Sequence, residues 1–454
     1  TKRYKQITLY IMTKDFSTFF SNEANLRKAS VMAYPAPGTI SLSTGLPNPE
    51  CFPLKGITIN VESPESSFQK SNEIKRNIID NPDEIISSCQ YMDSNGLKYF
   101  NEWVKNYIID NFKPGYQNWD FIIQSGATQS LDALFRMLIN PIEDTILCES
   151  LTYSCFLETC IPFKINLFSI KMDENGILPD DLNQLLTNWY NNENTKKFKF
   201  PKLLYTMPTG HNPTGITLSS ERREKLLEIC NTHNILIIED DPYYHLQIDD
   251  DNSKHIPSLL KFDTEGRVIR IDSFSKMLMP GLRVSIVTCN KLFRDKLANH
   301  NELSIHSASA SSQLILQMIF KDWGHDGYLK WLDHLQSIYR RRRNIMLEAF
   351  DKYLPHKLVT YNRPIHGMFI WINIKLNEFP KLPNSNYSDS EWATFIEDQI
   401  YKIASEKYKV ILSKGHWFMH DKSLIQAGFR ATYSYSEEDN MIKGAESFGN
   451  AIND

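Results

Sequence analysis

A lysine, an acid with a phenol, an amide and a glycine turn each stand just beyond a short apolar run. Lys276 follows RIDSFS, Asp240 and Tyr243 lie in EDDPYY, and Asn212 lies in TGHNPTG. Ser125-Gly126 leads into Ala127, Thr128 and Gln129 at the start of a helical pattern. A lysine amine can condense with an aldehyde and wait for exchange with a substrate amine. A carboxylate against a pyridine nitrogen keeps the ring protonated, so that the ring draws electrons. A phenol and an amide suit the ring hydroxyl. A phosphate dianion takes helix N-terminal amides, hydroxyls and an arginine, and Gly126 to Gln129, Ser273, Ser275 and Arg283 offer these. The set meets the needs of a phosphorylated pyridine aldehyde. Taken singly, each piece has a plainer reading. DDPYY and NPTG are turn formers, SFSK reads as a helix cap before a solvated lysine, and Arg283 as a surface charge. Their joint occurrence, in this order and each after an apolar run, favours the chemistry.

The elements that must position these residues are legible as alternating strands and helices. FIIQSGATQSLDALFRMLI goes from a strand, Phe121 to Gln124, into a helix whose Leu131, Leu134, Phe135 and Leu138 recur at i, i+3, i+4 and i+7. DTILCES, PKLLYTMPTG, NILIIEDDPYY and GRVIRIDSFSK add further apolar runs, the last with a buried strand over Val268 to Ile271 interrupted by Arg270. The expected class is α/β, a mostly parallel sheet sandwiched by helices, with a smaller α+β domain. Functional residues of such sheets collect beyond the carboxyl ends of the strands. The texture changes near Ile338, where a charged helix leads to HGMFIWINI, KVILSKGHWF and GFRATYSY. The expected division is 1–60 as an N-terminal segment belonging to the small domain and covering the substrate, 61–337 as the large cofactor domain, and 338–454 as the small C-terminal domain. NWYNNENTKKFKF, Asn188 to Phe200, reads as a solvated insertion loop. Arg340 to Arg343 read as a solvated helix face.

Bulk properties remove several classes. A net charge of −4 gives no electrostatic footprint for nucleic acid. Seven cysteines, an odd number with no CxxC, argue against a disulfide framework and a structural zinc site. No HExxH spacing is present and no metal is expected. No apolar run approaches the roughly 18 residues that span a bilayer. The N-terminal patch is too short and broken for a secretory signal; the expected compartment is the cytoplasm, with a mitochondrial address open. His211 and His366 read as loop histidines bonded to backbone, with substrate contact as the alternative. Trp417 and Phe418 read equally as core or as pocket wall.

GHNPTG, IIEDDPYY, SFSKMLMPGLR and GFRATYS together resemble the fold-type I, pyridoxal-phosphate-dependent aminotransferases. The group with the nearest resemblance holds the fungal aromatic-amino-acid aminotransferases and the kynurenine/2-aminoadipate aminotransferases. ISLSTGLPNPECFP resembles that group's N-terminal substrate segment and QYMDSNG its cofactor-contacting turn. The resemblance runs from about Asp15 to the end. It implies pyridoxal 5'-phosphate as cofactor, Lys276 as the Schiff-base lysine and proton shuttle, Asp240 on the pyridine nitrogen, and Asn212 and Tyr243 on the ring oxygen. It places Tyr153 on the ring face, and the phosphate against Gly126, Ala127, Thr128, Ser273, Ser275 and Arg283, with Tyr91 reaching it from the partner subunit of a homodimer. Arg430 would bind the substrate α-carboxylate through a two-pronged pair, beside Gly45 and Asn212. Two departures stand out: Ala127 where a serine is common, and Thr44 where a second glycine is common.

The expected reaction is a ping-pong transfer of the amino group from an aromatic L-amino acid (phenylalanine, tyrosine or tryptophan) to a 2-oxo acid such as 2-oxoglutarate. The alternative donors are 2-aminoadipate and kynurenine. A lyase on the same lysine is a more distant reading, as is a non-catalytic ligand-binding protein. A regulator with a DNA-binding module ahead of this domain is disfavoured, because about fifteen residues precede the matched region.

Overall fold

The computed structural model describes residues 14–28, 47–54, 56–62, 74–79, 81–249, 255–381 and 386–454. Its centre is a seven-stranded sheet. In chain order the strands are β1 (Trp119–Gln124), β2 (Thr145–Glu149), β3 (Asn166–Ile170), β4 (Leu203–Thr206), β5 (Leu236–Asp240), β6 (Val268–Ser273) and β7 (Ser285–Asn290). They lie side by side as β1-β7-β6-β5-β4-β2-β3. All neighbours are parallel except β7, which runs antiparallel to both β1 and β6. Strands β2, β4, β5, β6 and β7 are buried along their whole length, as strands covered on both faces must be. Helices α1 (Ala127–Leu138), α2 (Ser154–Phe163) and α3 (Ser220–Thr232) return the chain between them. Leu131, Leu134, Phe135 and Leu138 are all buried, so the helical spacing read from the sequence is the packed stripe. β1 begins at Trp119, two residues earlier than expected, because Asn290 and Cys289 of β7 pair with Trp119 and Asp120.

The period-two alternation of strand side chains sorts the charged residues between the two faces. Leu236, Ile238, Ile269 and Ile271 join one apolar cluster and Ile237, Val268 and Ile286 the other. Asp240 therefore shares the face of Ile238 and Ser273 that of Ile271, whereas Glu239, Arg270 and Asp272 share the opposite face.

A second, antiparallel sheet is built from β8 (Val359–Tyr361), β9 (Phe369–Ile374), β10 (Ser413–Lys414) and β11 (Gly428–Thr432) in the order β8-β9-β11-β10. The helical stretch Ala310–Tyr353 leads to it, with a break at Gly324, whose φ is 61°. The apolar cluster containing Ile238 and Ile271 also contains Ile370, Ile372 and Phe429 of this sheet.

One sequence expectation holds with an addition and another is corrected. The segment 188–200 is a loop with most of its residues exposed, as expected, but it is pinned: Trp189 is fully buried, its indole donates to Phe198 O at 3.1 Å, and the Thr195 hydroxyl donates to Trp189 O at 2.5 Å. The Arg340–Arg343 run is not a solvated face. Arg343 is 4 % exposed and donates to Ile248 O and Pro364 O, Arg340 donates to Ile248 O and Asp249 O, and Arg342 to Tyr433 O at 2.7 Å. Arg341 is exposed and pairs with Glu438 at 2.7 Å.

Candidate functional site

Asp240 ends β5 and is 4 % exposed. The Tyr205 hydroxyl, from β4, donates to its Oδ2 at 2.7 Å, while Oδ1 is buried with no hydrogen-bond partner. Burial pushes its pKa up to about 6 and the Asp241 charge adds to the rise, against the Tyr205 hydrogen bond. A buried carboxylate oxygen without a donor fits a cationic N–H arriving from the site side.

Lys276 sits in the turn after β6 and is half-buried. Burial lowers its pKa, and the nearby charges of Arg430 and then Arg283 lower it further. The amine thus lies within electrostatic reach of two guanidiniums, one from each sheet's end of the chain.

Arg283 follows the short helical turn Pro280–Leu282 and packs on the glycine turn after β1. Gly126 has φ 94°, a conformation that favours glycine, and a Cβ there would stand 2.2 Å from Arg283 Nη2, so a side chain would displace the guanidinium. The helix behind it, α1, starts at Ala127 with no side-chain cap, which leaves its first amides for an anion. Thr128 is exposed at this end, near Tyr153, which is half-buried at the N-terminus of α2. Ser273 is buried; its Oγ accepts from the Ser275 amide at 3.2 Å.

Asn212 is buried in the turn after β4, in a cis Asn212-Pro213 bond. The buried Tyr243 phenol lies near it, and its Oδ1 accepts from Arg430 Nη1 at 2.7 Å. Burial raises the Tyr243 pKa, keeping the phenol protonated. Arg430 rises from β11 between two rings, with its guanidinium 4.6 Å from the Phe369 centroid and 4.9 Å from that of Phe418. Its Nη2 donates to Ser413 Oγ at 3.1 Å.

Lys276, Asp240, Tyr243, Asn212, Tyr153, Gly126, Ala127, Thr128, Ser273, Ser275, Arg283 and Arg430 thus all belong to the strand and loop ends just described. Tyr91 differs: it is 58 % exposed and its ring contacts His306, with centroids 4.9 Å apart. Gly45 and Thr44 lie outside the described residues. Sequence reasoning missed Tyr205 and Ser413, and left Phe418 undecided. A tyrosine in an apolar strand reads as core, yet it is one residue before the strand's last and on the face of Ile238. His211 is buried and its ring bonds the Thr214 hydroxyl at 2.8 Å rather than backbone; His366 likewise bonds the Thr217 hydroxyl at 2.8 Å. The exposed Trp417 and the buried Phe418 part ways, Phe418 serving as wall beneath Arg430.

Residues 59–447 match the family model for class I and II aminotransferases. The chain belongs to that family. This aminotransferase is 35 % identical to an aromatic amino acid aminotransferase of Schizosaccharomyces pombe, over 97 % of its own length and 98 % of the relative's. It is 32 % identical to the mitochondrial kynurenine/alpha-aminoadipate aminotransferase of Bos taurus, over 88 % and 89 % of the two chains. Among solved structures, the aminotransferase Aro8 from Candida albicans superposes with a TM-score of 0.86 at 30 % identity, covering 97 % of this chain and 98 % of that one. The fold-type I architecture expected from the motifs is therefore the one present. No helix among the described residues is long and apolar enough to cross a membrane.

Proposed function

We propose that this aminotransferase holds pyridoxal 5'-phosphate at the strand ends and moves an amino group from an aromatic L-amino acid to a 2-oxo acid, 2-oxoglutarate in the first instance. The observation that carries the reading is the half-buried Lys276 amine within reach of two cations, Arg283 and Arg430. One suits the phosphate of a cofactor and the other the carboxylate of a substrate. When bound, the cofactor would supply an aldehyde to take the nitrogen and a protonated ring to draw electrons from the substrate Cα.

The chain's own residues then have separable tasks. Asp240 pairs the ring nitrogen through the oxygen that has no protein donor. Asn212 and Tyr243 bond the ring oxygen, and Tyr153 covers one face of the ring. The amides of Gly126 to Gln129, with Thr128, Ser273, Ser275 and Arg283, hold the phosphate; at Ala127 the backbone amide serves without a hydroxyl. Lys276, whose lowered pKa favours the free amine, would take the proton from the donor's Cα in one half-reaction and give a proton to the acceptor's Cα in the other. Arg430, fixed by Ser413 and Asn212 between two aromatic rings, orients the α-carboxylate, with Gly45 allowing close approach of the substrate. Because Tyr91 is exposed and turned to His306, it is assigned to a neighbouring site: the partner subunit's Tyr91 completes the phosphate contacts in a homodimer with shared active sites. Residues 61–337 form the cofactor domain, 338–454 the small domain and 1–60 its N-terminal complement, and the enzyme works in the cytoplasm.

The aromatic donor is supported by the Schizosaccharomyces pombe relative. 2-Aminoadipate or kynurenine is the second reading, supported by the Bos taurus relative. A scan of donors with 2-oxoglutarate as acceptor separates them. The expected result is that kcat/KM for phenylalanine, tyrosine or tryptophan exceeds that for 2-aminoadipate and kynurenine; the reverse order replaces the first reading with the second.

A further inference from the structure

A buried acid at the same end of the sheet is left without a task. Glu149, the last residue of β2, is 2 % exposed. Its Oε1 accepts from the Thr206 hydroxyl and from the Met207 amide, the latter at 3.2 Å, and its Oε2 is buried with no hydrogen-bond partner. No lysine or arginine among the described residues forms an ion pair with it. Glu239, buried equally in β5, differs: it has Arg270 Nη1 at 3.1 Å and accepts from the Ser258 hydroxyl and the Leu259 amide. A buried carboxylate with no counter-charge is expensive, so a structural role alone would be better served by an amide.

Its neighbours connect it to the site. Met207 opens the turn that ends at Asn212, and Tyr153 lies four residues beyond Glu149 in the chain; Glu149 alternates with Leu147 onto the sheet face opposite that of Asp240. The titratable groups that it acts on or feels are Asp240 from β5, Tyr205 from β4 and Cys148 from its own strand. β3, paired with β2 along its other edge, sets Ile170 opposite Glu149 in the register. Burial lifts the Glu149 pKa to about 7, with the hydrogen bonds from Thr206 and Met207 opposing and the Asp240 charge adding to the rise.

We propose that Glu149 is a positioning residue that fixes the turn carrying Asn212 and, by the charge it bears when ionised, strengthens the hold of Asp240 on the protonated ring of the cofactor. This rests on the reading of Asp240 as the ring-nitrogen partner. In the cofactor-free site the two carboxylates repel, and each favours the protonated form of the other. A ring cation placed against Asp240 attracts both. Ionised Glu149 therefore costs most when the site is empty and helps when it is filled, which makes it a linkage between pH and cofactor affinity.

The test is the dissociation constant of pyridoxal phosphate, titrated into the cofactor-free full chain between pH 5.5 and 8.5, for wild type, Glu149→Gln and Thr206→Val. The ratio of wild-type to Glu149→Gln affinity cancels the titration of groups the two share, the cofactor's phosphate included. The expected ratio is flat in acid and rises roughly 3- to 10-fold in favour of wild type as pH passes about 7. Thr206→Val removes a donor to the ionised form, so its own gain in affinity should come at higher pH. A ratio independent of pH overturns the proposal. A Thr206→Val step displaced to lower pH does so too, and that arm stands if Glu149→Gln fails to fold. If wild type itself does not bind the cofactor, the proposed function fails and this inference falls with it; a flat ratio with normal wild-type binding removes this inference alone.

Discussion

Asp240 and Asp241 are consecutive, both buried, and both have burial as the main cause of a pKa raised to about 6, yet they face opposite ways into different surroundings. Asp241 is paired with a buried cation: Arg270 Nη1 donates to its Oδ2 at 2.9 Å and the Thr209 hydroxyl at 3.1 Å, while its Oδ1 has no partner. The same Arg270 lies 3.1 Å from Glu239, 3.8 Å from Asp272, and over the rings of Phe112 and Tyr244. Asp272 accepts from Tyr107, which also bonds His245. Asp240, one residue earlier, has a phenol on one oxygen and no partner on the other. Acids that meet a guanidinium inside the fold are structure; a strand-end acid that meets none within hydrogen-bond distance is poised for a ligand's charge.

The largest expected separation is in catalysis. Asp240→Asn should lower kcat/KM about 10²- to 10⁴-fold while the cofactor-free protein melts at or above the wild-type temperature; equal losses of activity and stability would erase the contrast. Arg270→Ala should do the opposite, destabilising the chain by about 3–5 kcal/mol because it strands several buried acids. Denaturant unfolding measures this, and a loss under ~1 kcal/mol would mean that the network holds little.

The pH dependence sharpens the difference further. Asp240 has a folded-state pKa near 6 against an ordinary value of 3.8, so between those values the folded protein binds more protons than the unfolded chain. Its contribution to stability therefore falls as pH rises from about 4 to 6, by roughly 3 kcal/mol over the window. The stability difference between wild type and Asp240→Asn, followed across that window in the cofactor-free protein, should show this slope and should flatten once pyridoxal phosphate is bound. A difference independent of pH would mean that Asp240 keeps the ordinary carboxylate pKa inside the fold, contrary to its burial. The smallest expected effect concerns the other anion site: Phe418→Leu removes one ring from Arg430 and should raise KM for the amino acid a few-fold, ~0.5–1 kcal/mol, with kcat little changed. An unchanged KM would leave Phe418 as packing alone.

What was legible in the sequence follows from the same physics. A parallel sheet gathers the carboxyl ends of its strands on one edge, so Lys276, Asp240 and Asn212 could be grouped without coordinates, since each follows an apolar run. Period-two alternation separates Asp240 from Asp241, but the sequence does not say which face the ligand takes. Tyr205 was hidden because a tyrosine among Leu203, Leu204 and Thr206 looks like core, and Glu149 because an acid closing a strand looks like a turn. The carbonyl partners of Arg340, Arg342 and Arg343 come from residues near 248, 364 and 433, far away along the chain, so a solvated face was the natural reading of four consecutive arginines. Trp189 shows a subtler limit: the solvated loop was legible from its polar composition, but not the buried aromatic residue that pins it.

The central claim is that the amine of Lys276 carries the cofactor and exchanges it with an amino acid. The most direct measurement is the visible absorption spectrum of the purified protein supplied with pyridoxal phosphate, recorded before and after adding L-phenylalanine and then 2-oxoglutarate, with Lys276→Ala alongside. The account expects a yellow band in wild type that bleaches with phenylalanine and returns with 2-oxoglutarate, and no such cycle in Lys276→Ala. Absence of the band in wild type, or the same cycle at a normal rate in Lys276→Ala, would contradict it.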